Sequence, residues 1–383
     1  MPNISQRTLP NYLTGMFLAA SVLLALAVFS APAVQAAPNL IEHQSEALEK
    51  ANSAPDYGIR TGSVVVAPIP FNTPTIGAGL ALGAAYLFSS DEHSNASIIG
   101  FGGFRSDNGS MGYGLTVNLA WHNNRWIFKS FLGDADLKYD IYFQNLAVPI
   151  RQQGTLARMS LAYGVTSKLS FGATVRYLNT NVSLANQSAI VPPPIARDAN
   201  LELLTLGVIA NWDLRDDTIY PKSGLLLNFE AFHGINLDGP KLGYSKAFVN
   251  FSHFLSLGKS GVLATRLSTC TATEDTPFFD MCSLGGTDNM RGFSATEFLD
   301  QRLVSAQIEY RHELTGRIGA VVFAGAGMTG SEFSTLHEDG VHSAAGLGLR
   351  IRISRKFPVD FSIDGSLNND NQKLLYIYVG QRF

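Results

Sequence analysis

The stretch Met111-Gly112-Tyr113-Gly114-Leu115-Thr116-Val117-Asn118-Leu119-Ala120-Trp121 sets the character of this chain. Large apolar side chains take every odd position, and Gly112, Gly114, Thr116 and Asn118 alternate with them. A period of two belongs to a β-strand, whose successive side chains point to opposite faces. The pattern recurs outward from this segment. In 76–88, Ile76, Ala78, Leu80, Leu82, Ala84, Tyr86 and Phe88 oppose Gly77, Gly79, Ala81 and Gly83. In 169–177, Leu169, Phe171, Ala173, Val175 and Tyr177 oppose Ser170, Gly172, Thr174 and Arg176. Two later segments, 304–311 and 345–353, set Val304, Ile308, Tyr310, Leu347 and Ile351 against Glu309, Arg311, Arg350 and Arg352. Turn signals such as Ser106-Asp107-Asn108-Gly109 and His122-Asn123-Asn124 separate the runs.

A soluble β-sandwich also alternates, so the faces must be assigned. Here the polar faces carry Arg176, Glu309, Arg350 and Arg352 beside glycines, which suits a wet lumen. The apolar faces carry Tyr86, Phe88, Trp121 and Tyr177 near strand ends, where membrane-interface girdles sit. Composition agrees, with 46% hydrophobic and 15% charged residues, against ~25% charged in soluble domains. The reading is all-β: one transmembrane antiparallel β-barrel of about 16 strands over 62–383, in a bacterial outer membrane. Periodicity alone accommodates ~12–18 strands. Longer stretches near 178–200 and 267–300 read as outer-face loops.

Residues 1–36 read as a cleaved signal peptide. Arg7 supplies the basic start, Met16 to Phe29 the apolar run, and Val34-Gln35-Ala36 the small residues before the cut. That run is shorter than the ~20 residues of a spanning helix. Removal of Arg7 leaves 27 basic against 31 acidic residues, which argues against a nucleic-acid partner. Residues 37–61 read as a short periplasmic lead-in. Two cysteines, Cys270 and Cys282, form a candidate disulfide, since an even count in an oxidising compartment favours pairing. Two free thiols are the alternative.

Four places carry a more specific signal. Residues 68–88, with Pro68-Ile69-Pro70 followed by Thr75 to Leu80, read as a first strand. Asp213-Leu214-Arg215-Asp216-Asp217, followed by Pro221 and Gly224, forms an Asp-x-Arg-Asp turn closed by proline and glycine. Gly285, Gly286, Arg291, Gly292 and Phe293 form a loop motif ending in arginine-glycine-aromatic. Glu309-Tyr310-Arg311 and the final Val379-Gly380-Gln381-Arg382-Phe383 read as late strands. In combination these resemble the bacterial surface antigen superfamily, the barrels of BamA/TamA-type outer-membrane insertases and two-partner secretion transporters. The resemblance covers nearly the whole chain after residue 61.

That resemblance implies a sixteen-stranded barrel whose long outer loop folds back into the lumen. It also implies that Arg291 pairs with acidic residues of the inner wall, for which Glu309 comes first and Asp360 and Asp364 next. A guanidinium in a narrow lumen needs such carboxylates to offset its desolvation. The seam between first and last strands, placed at 75–88 and 374–383, would be the other working part. Gly77, Gly79, Gly83 and Gly380 would weaken pairing there, and Phe383 would close an apolar face shared with Leu375, Ile377 and Val379. Such a strand resembles the signal read by the barrel assembly machinery, making this chain its client.

The sequence departs from the family at two places. The family's Phe-x-Asp-x-Gly becomes Phe323-Ala324-Gly325-Ala326-Gly327, with Gly325 where the aspartate stands, so the Arg291 clasp is expected to be weaker or rerouted. The lead-in is also too short for one periplasmic POTRA domain, since typical domains need at least ~50 residues.

Enzyme signals are absent. Gly325-Ala326-Gly327-Met328-Thr329-Gly330 fits GxGxxG in form, but no helix or βαβ unit accompanies it. There is no GxSxG elbow. His337 and His342 flank a turn signal and read as surface-turn residues rather than metal ligands. No enzyme activity, metal or cofactor is expected. The partners expected are outer-membrane lipids, a polypeptide or lipid cargo and further copies of the chain. The leading functional reading is a barrel that moves or inserts polypeptide or lipid at the outer membrane. Two readings stay open beside it: a passive porin-like channel with Arg176, Arg350 and Arg352 setting ion preference, and a structural barrel.

Overall fold

The computed structural model describes residues 59, 62–143, 146–185, 193–218, 220–238, 243–286, 289–338, 340–352 and 360–383. The signal peptide 1–36 and all of the lead-in 37–61 except Ile59 lie outside them, as do Thr287 and Asp288. The strands are β1 (Ser63–Thr73), β2 (Gly77–Phe88), β3 (Ser97–Ser106), β4 (Met111–Trp121), β5 (Trp126–Phe143) and β6 (Leu146–Gly164). They continue as β7 (Leu169–Leu184), β8 (Asn200–Asp213), β9 (Gly224–Asp238), β10 (Gly243–Leu257), β11 (Gly261–Ala272), β12 (Cys282–Ser283) and β13 (Leu299–Asp300). The last are β14 (Arg302–Thr315), β15 (Ile318–Gly330), β16 (His342–Arg352), β17 (Asp360–Asn368) and β18 (Lys373–Val379). Sixteen of them close into one antiparallel barrel, with β11 beside β14 and β18 returning to β1. Strands β12 and β13 form a separate ribbon inside the long β11–β14 connection.

Antiparallel alternation gives the barrel two unlike ends. The turns 122–125, 165–168, 258–260 and 316–317 lie at one, with the last residues of the chain. The long connections 185–199, 273–301 and 331–341 open at the other. Large apolar side chains ring the outer wall: Val64, Leu80, Phe101, Tyr113, Leu206, Leu267, Val322 and Leu347 are all more than half exposed. A belt of this extent has no place in water and matches the lipid-facing band of a membrane barrel. Trp121, Trp126 and Tyr163 pack together at the turn end, with ring centroids 6.5 and 5.1 Å apart, as an interfacial girdle would. The three longest connections all lie at the opposite end.

Inside the loop end, strand extensions and loops share a hydrophobic core. Phe71, Ile76, Phe104, Tyr139, Ile150, Leu203, Tyr244, Phe278 and Phe279 belong to it, together with Ile195 of a five-residue helix, α1 (Pro193–Arg197). Wall height is uneven. Strands β5 and β6 have 18 and 19 residues, whereas β17 and β18 have nine and seven.

Several sequence expectations need correction. The first strand is β1, not 75–88, so Gly77, Gly79 and Gly83 belong to β2, one strand away from the closure. The stretch 68–88, read as one first strand, is divided by a turn at 74–76 into the end of β1 and the whole of β2. The outer connections are shorter than expected, since β7 runs to Leu184 and β11 to Ala272. The aromatic at the end of the chain does not face lipid. Strand β18 stops at Val379, Gly380 takes φ +93°, and Phe383 turns inward against Phe254 and Ala264. His342 is not in a surface turn: it opens β16 and is buried, its ring centroid 3.7 Å from that of Phe298.

Candidate functional site

The β11–β14 connection enters the lumen, and its shape follows from its glycines. Gly292 takes φ +123°, and a Cβ there would fall 2.1 Å from the Ala344 Cβ. A Cβ on Gly285 would fall 1.9 Å from the Ser294 carbonyl oxygen. Close backbone approach therefore requires glycine at both positions. Phe293 is fully buried and packs with Leu284, Met290, Leu303 and Ala344, driving the loop tip against the wall. Tyr376 of β18 accepts the Gly292 N–H at 2.8 Å, and the Asn368 side-chain amide donates to the Gly292 carbonyl at 2.9 Å.

Arg291 is the centre of this contact and is 1% exposed. Its Nη2 donates to Glu309 Oε2 at 2.5 Å and its Nη1 to Asp364 Oδ2 at 2.6 Å. Its backbone N–H reaches Gln307 Oε1 at 3.2 Å, and its Cζ stands 3.8 Å from the Phe323 ring centroid. Glu309 also accepts from Arg311 Nε at 2.6 Å, and Asp364 from Arg350 and from the Tyr378 hydroxyl. Three arginines thus share two carboxylates in a dry setting. Each carboxylate accepts several charge-assisted bonds, which is the condition for a buried ionic cluster to be tolerated.

Of the three proposed Arg291 partners, Glu309 and Asp364 lie against it and Asp360 does not. Asp360 instead faces Arg352 at 3.4 Å and accepts from the Gln381 amide at 2.6 Å. Four residues along β17 separate the two roles: Asp364 lies deep in the lumen, Asp360 at the turn end. Gly325 has a steric reason. A Cβ there would come within 3.1 Å of Met290 Cγ, so the position left empty by the missing aspartate holds the Met290 side chain.

A second anchorage holds the first half of the loop, and the sequence reading missed it. Asp280 is 1% exposed and accepts from the Arg176 guanidinium and, at 2.5 Å, from the Tyr244 hydroxyl. Burial alone pushes its carboxyl up, but Arg176, Lys246 and Tyr244 outweigh burial and hold it below the usual carboxylate range. Lys246 Nζ donates to the Met281 carbonyl at 3.1 Å. From the neighbouring loop, Asp198 accepts the Phe278 N–H at 2.8 Å and Arg197 donates to the Thr276 carbonyl at 3.0 Å. Cys270 and Cys282 are joined in a disulfide, tying the loop to β11. The available signal was Arg176 on a lumen face with no assigned partner.

The Asp-x-Arg-Asp turn lies at the turn end between β8 and β9. Arg215 donates from Nη2 to Asp213 Oδ2 at 2.7 Å, and Asp216 Oδ1 accepts the Lys222 and Ser223 N–H groups at 2.9 and 3.0 Å. Gly224 closes it at φ +103°, after the buried Pro221. Arg176, Arg350 and Arg352 are engaged by Asp280, Asp364 and Asp360, so they are not free cations along an open channel.

This sixteen-stranded barrel has counterparts among known proteins. A family model described as the Omp85 superfamily domain matches residues 98–383. The chain belongs to the Omp85 superfamily. Among solved structures its fold resembles BamA from Haemophilus ducreyi lacking POTRA domains 1–3, at 15% identity and TM-score 0.57. That match covers 84% of this chain and 70% of the other. CdiB from Escherichia coli matches at 12% identity and TM-score 0.57, over 89% of this chain and 70% of that one. CdiB from Acinetobacter baumannii matches at 10% identity and TM-score 0.55, over 84% and 65%. At these identities the likeness is one of fold. No curated protein matches the sequence. Fold and family agree with the surface-antigen resemblance carried by the four motifs.

Proposed function

We propose that this Omp85 barrel resides in the bacterial outer membrane after signal-peptide removal and passes polypeptide or lipid sideways through its β1–β18 seam. The supporting observation is the weakness of that closure. Among the described residues β1 meets β18 through a single ladder pair, Asn72↔Ile377, while β1 and β2 pair along the whole of Ser63–Thr73. Asn72 adds one side-chain bond to the Leu375 carbonyl, at 2.6 Å. Continuing the register would set Pro70 opposite Val379 and Pro68 opposite Gln381. Proline offers no N–H to a ladder, and Gly380 turns the chain away from β1. The lower part of β1 is therefore an edge on which an incoming strand could template.

The axial route is obstructed, which weighs against the passive channel. A hydrophobic core lies at the loop end, and the Arg291 and Asp280 anchors hold the loop inside the lumen. Polypeptide handling is a property of the family carried over here as a proposal, as is dependence of this chain on the assembly machinery for its own insertion.

Locking the seam tests the reading. Asn72→Cys with Ile377→Cys places two thiols directly opposite each other on the two strands. The measurement is the rate at which an unfolded outer-membrane polypeptide folds into liposomes that contain the barrel. The oxidised variant should lose the acceleration and regain it on mild reduction. A locked barrel as active as the wild type overturns the proposal.

A further inference from the structure

The ladder contact between β1 and β18 sits at the loop end of the seam. Among the described residues its one pair, Asn72↔Ile377, engages the last residue but one of β1. The Asn72 side chain reaches Leu375, still nearer the loop end. Two hairpin turns flank the seam there, residues 74–76 on the β1 side and 369–372 on the β18 side. The inserted loop bonds to both.

Just after Arg291 the loop turns at residues 294–297, where the Glu297 N–H donates to the Ser294 carbonyl at 3.3 Å. On the β1 side, the Ser294 and Thr75 hydroxyls stand 3.3 Å apart. On the β18 side, the Gln372 amide donates to Glu297 Oε1 at 2.6 Å. Asn368 positions Gln372 for this contact. Its Oδ1 accepts the Gln372 N–H at 2.9 Å, and its amide donates to Gln372 Oε1 at 2.8 Å. The turn is also braced from behind. The Thr296 hydroxyl donates to the Asp140 carbonyl of β5 at 2.6 Å, and the Ser283 hydroxyl to the Ala295 carbonyl at 2.5 Å. Ser294 and Thr296 are only 8% and 3% exposed, so water competes little for their bonds.

We propose that the turn at 294–297 is a clasp that holds the loop end of the seam shut and must let go before the seam opens along its length. The inference rests on the seam reading and names what regulates that seam. The wall supplies a single ladder pair at this end, and the clasp adds a bridge from one flank to the other. The section below Asn72, with Pro68 and Pro70 on its edge, has no ladder to β18 and needs no release to part. Loop movement and seam opening are then one event. A loop drawn away from Asn368 and Tyr376, which hold Gly292, takes Ser294 and Glu297 with it. Hydroxyl and amide bonds suit a reversible clasp, because trading them for bonds to water changes the free energy only modestly.

The test is the distance between paired spin labels on the refolded barrel in lipid nanodiscs. The native cysteines are bonded to each other, so introduced thiols alone take the label. Ala78→Cys with Lys373→Cys spans the loop end of the seam, and Val66→Cys with Phe361→Cys spans the half below it. The otherwise unaltered barrel should give a narrow distance distribution for the first pair and a broad one for the second. Thr75→Val/Gln372→Leu removes both clasp bonds and leaves the Arg291 and Asp280 anchors in place. It should broaden the loop-end distribution to the width of the other. A heat-modifiable gel shift establishes that the variant is folded, and Gln372→Leu alone carries the test if the double variant is not. An unchanged loop-end distribution in the folded variant overturns the proposal, as does an unaltered barrel whose two pairs are equally broad. No cargo enters the measurement. A barrel whose clasp behaves as stated but which stays active when locked at Asn72 and Ile377 loses the transport reading alone. A barrel that is silenced by the lock but whose distances ignore the clasp variant loses the clasp alone.

Discussion

The guanidinium of Arg291 stands 3.8 Å from the centre of the Phe323 ring while its two terminal nitrogens reach Glu309 and Asp364. One face of the cation is therefore covered by an aromatic ring and its edge by two carboxylates. Planarity is what allows both. An ammonium could not present the fork and the flat face together.

Arg291→Ala should consequently cost more than the loss of one ion pair. It strands Glu309 and Asp364 in a buried setting, with only Arg311 and Arg350 left to share them. Removing one partner of a buried pair typically costs about 3–5 kcal/mol. Denaturant unfolding in micelles should show a loss of that size, and Arg291→Lys should recover less than half of it. A lysine variant as stable as wild type would contradict the forked geometry.

Gly325 makes a second expectation definite. Restoring the family's aspartate with Gly325→Asp should destabilise, because the new Cβ meets Met290 at 3.1 Å. Overpacking of this kind costs about 1–3 kcal/mol. Adding Met290→Ala should return part of the loss by opening room for the carboxylate beside Arg291. Unfolding midpoints of the single and double variants decide it, and additive losses would show that the two sites are independent.

These positions also show how far the sequence could be read. Strand periodicity disclosed the barrel, because lipid on one side and water on the other impose the alternation at every strand. The motif around Arg291 pointed to the inward loop, and parity along β14 and β17 put Glu309 and Asp364 on the lumen face. Parity could not separate Asp364 from Asp360, since both face inward and differ in depth. The break between β1 and β2 was missed because Thr75, Ile76 and Gly77 continue the alternation through the turn that separates the two strands. Asp280 was hidden because its partners Arg176, Tyr244 and Lys246 come from two distant strands, a juxtaposition that only closure of the barrel creates.

Acid should release the first half of the loop. The Asp280 carboxyl titrates below its ordinary ~3.9 because Arg176, Lys246 and Tyr244 favour the charged form more than burial disfavours it. A depressed folded value means that its contribution to stability is complete above the ordinary value and is lost as pH falls through the folded one. Proteolysis within 273–283 should be negligible at neutral pH and should appear only in strong acid, with an acid-active protease. Asp280→Asn should remove that acid dependence and expose the segment at neutral pH. Cleavage that rises already near pH 6 would assign the release to another group.

Reducing the disulfide should have a smaller effect than cutting either anchor. Cys270 and Cys282 enclose a short loop, and closing one of about that size is worth ~3 kcal/mol through the unfolded chain. The folded loop would still be held by Arg291 on one side and Asp280 on the other. Reduced barrel should therefore unfold at lower denaturant while its loop stays protected from protease under native conditions.

Phe383 carries the last expectation. Its ring lies 5.1 Å from the Arg266 Cζ, 5.8 Å from that of Arg311 and 5.9 Å from that of Arg291, and it packs on Phe254 and Ala264. Three cations around one aromatic face repel each other, and the ring is what screens them. Phe383→Ala removes both the packing and the screening, at about 3–5 kcal/mol for a buried phenylalanine. Phe383→Leu keeps much of the packing and loses the cation–π attraction, so the difference between the two variants reports packing and the loss that Phe383→Leu still shows reports the ring's electrostatic share. Denaturant unfolding of the two variants in micelles checks it, and a Phe383→Leu variant as stable as wild type would reduce Phe383 to a space-filling role.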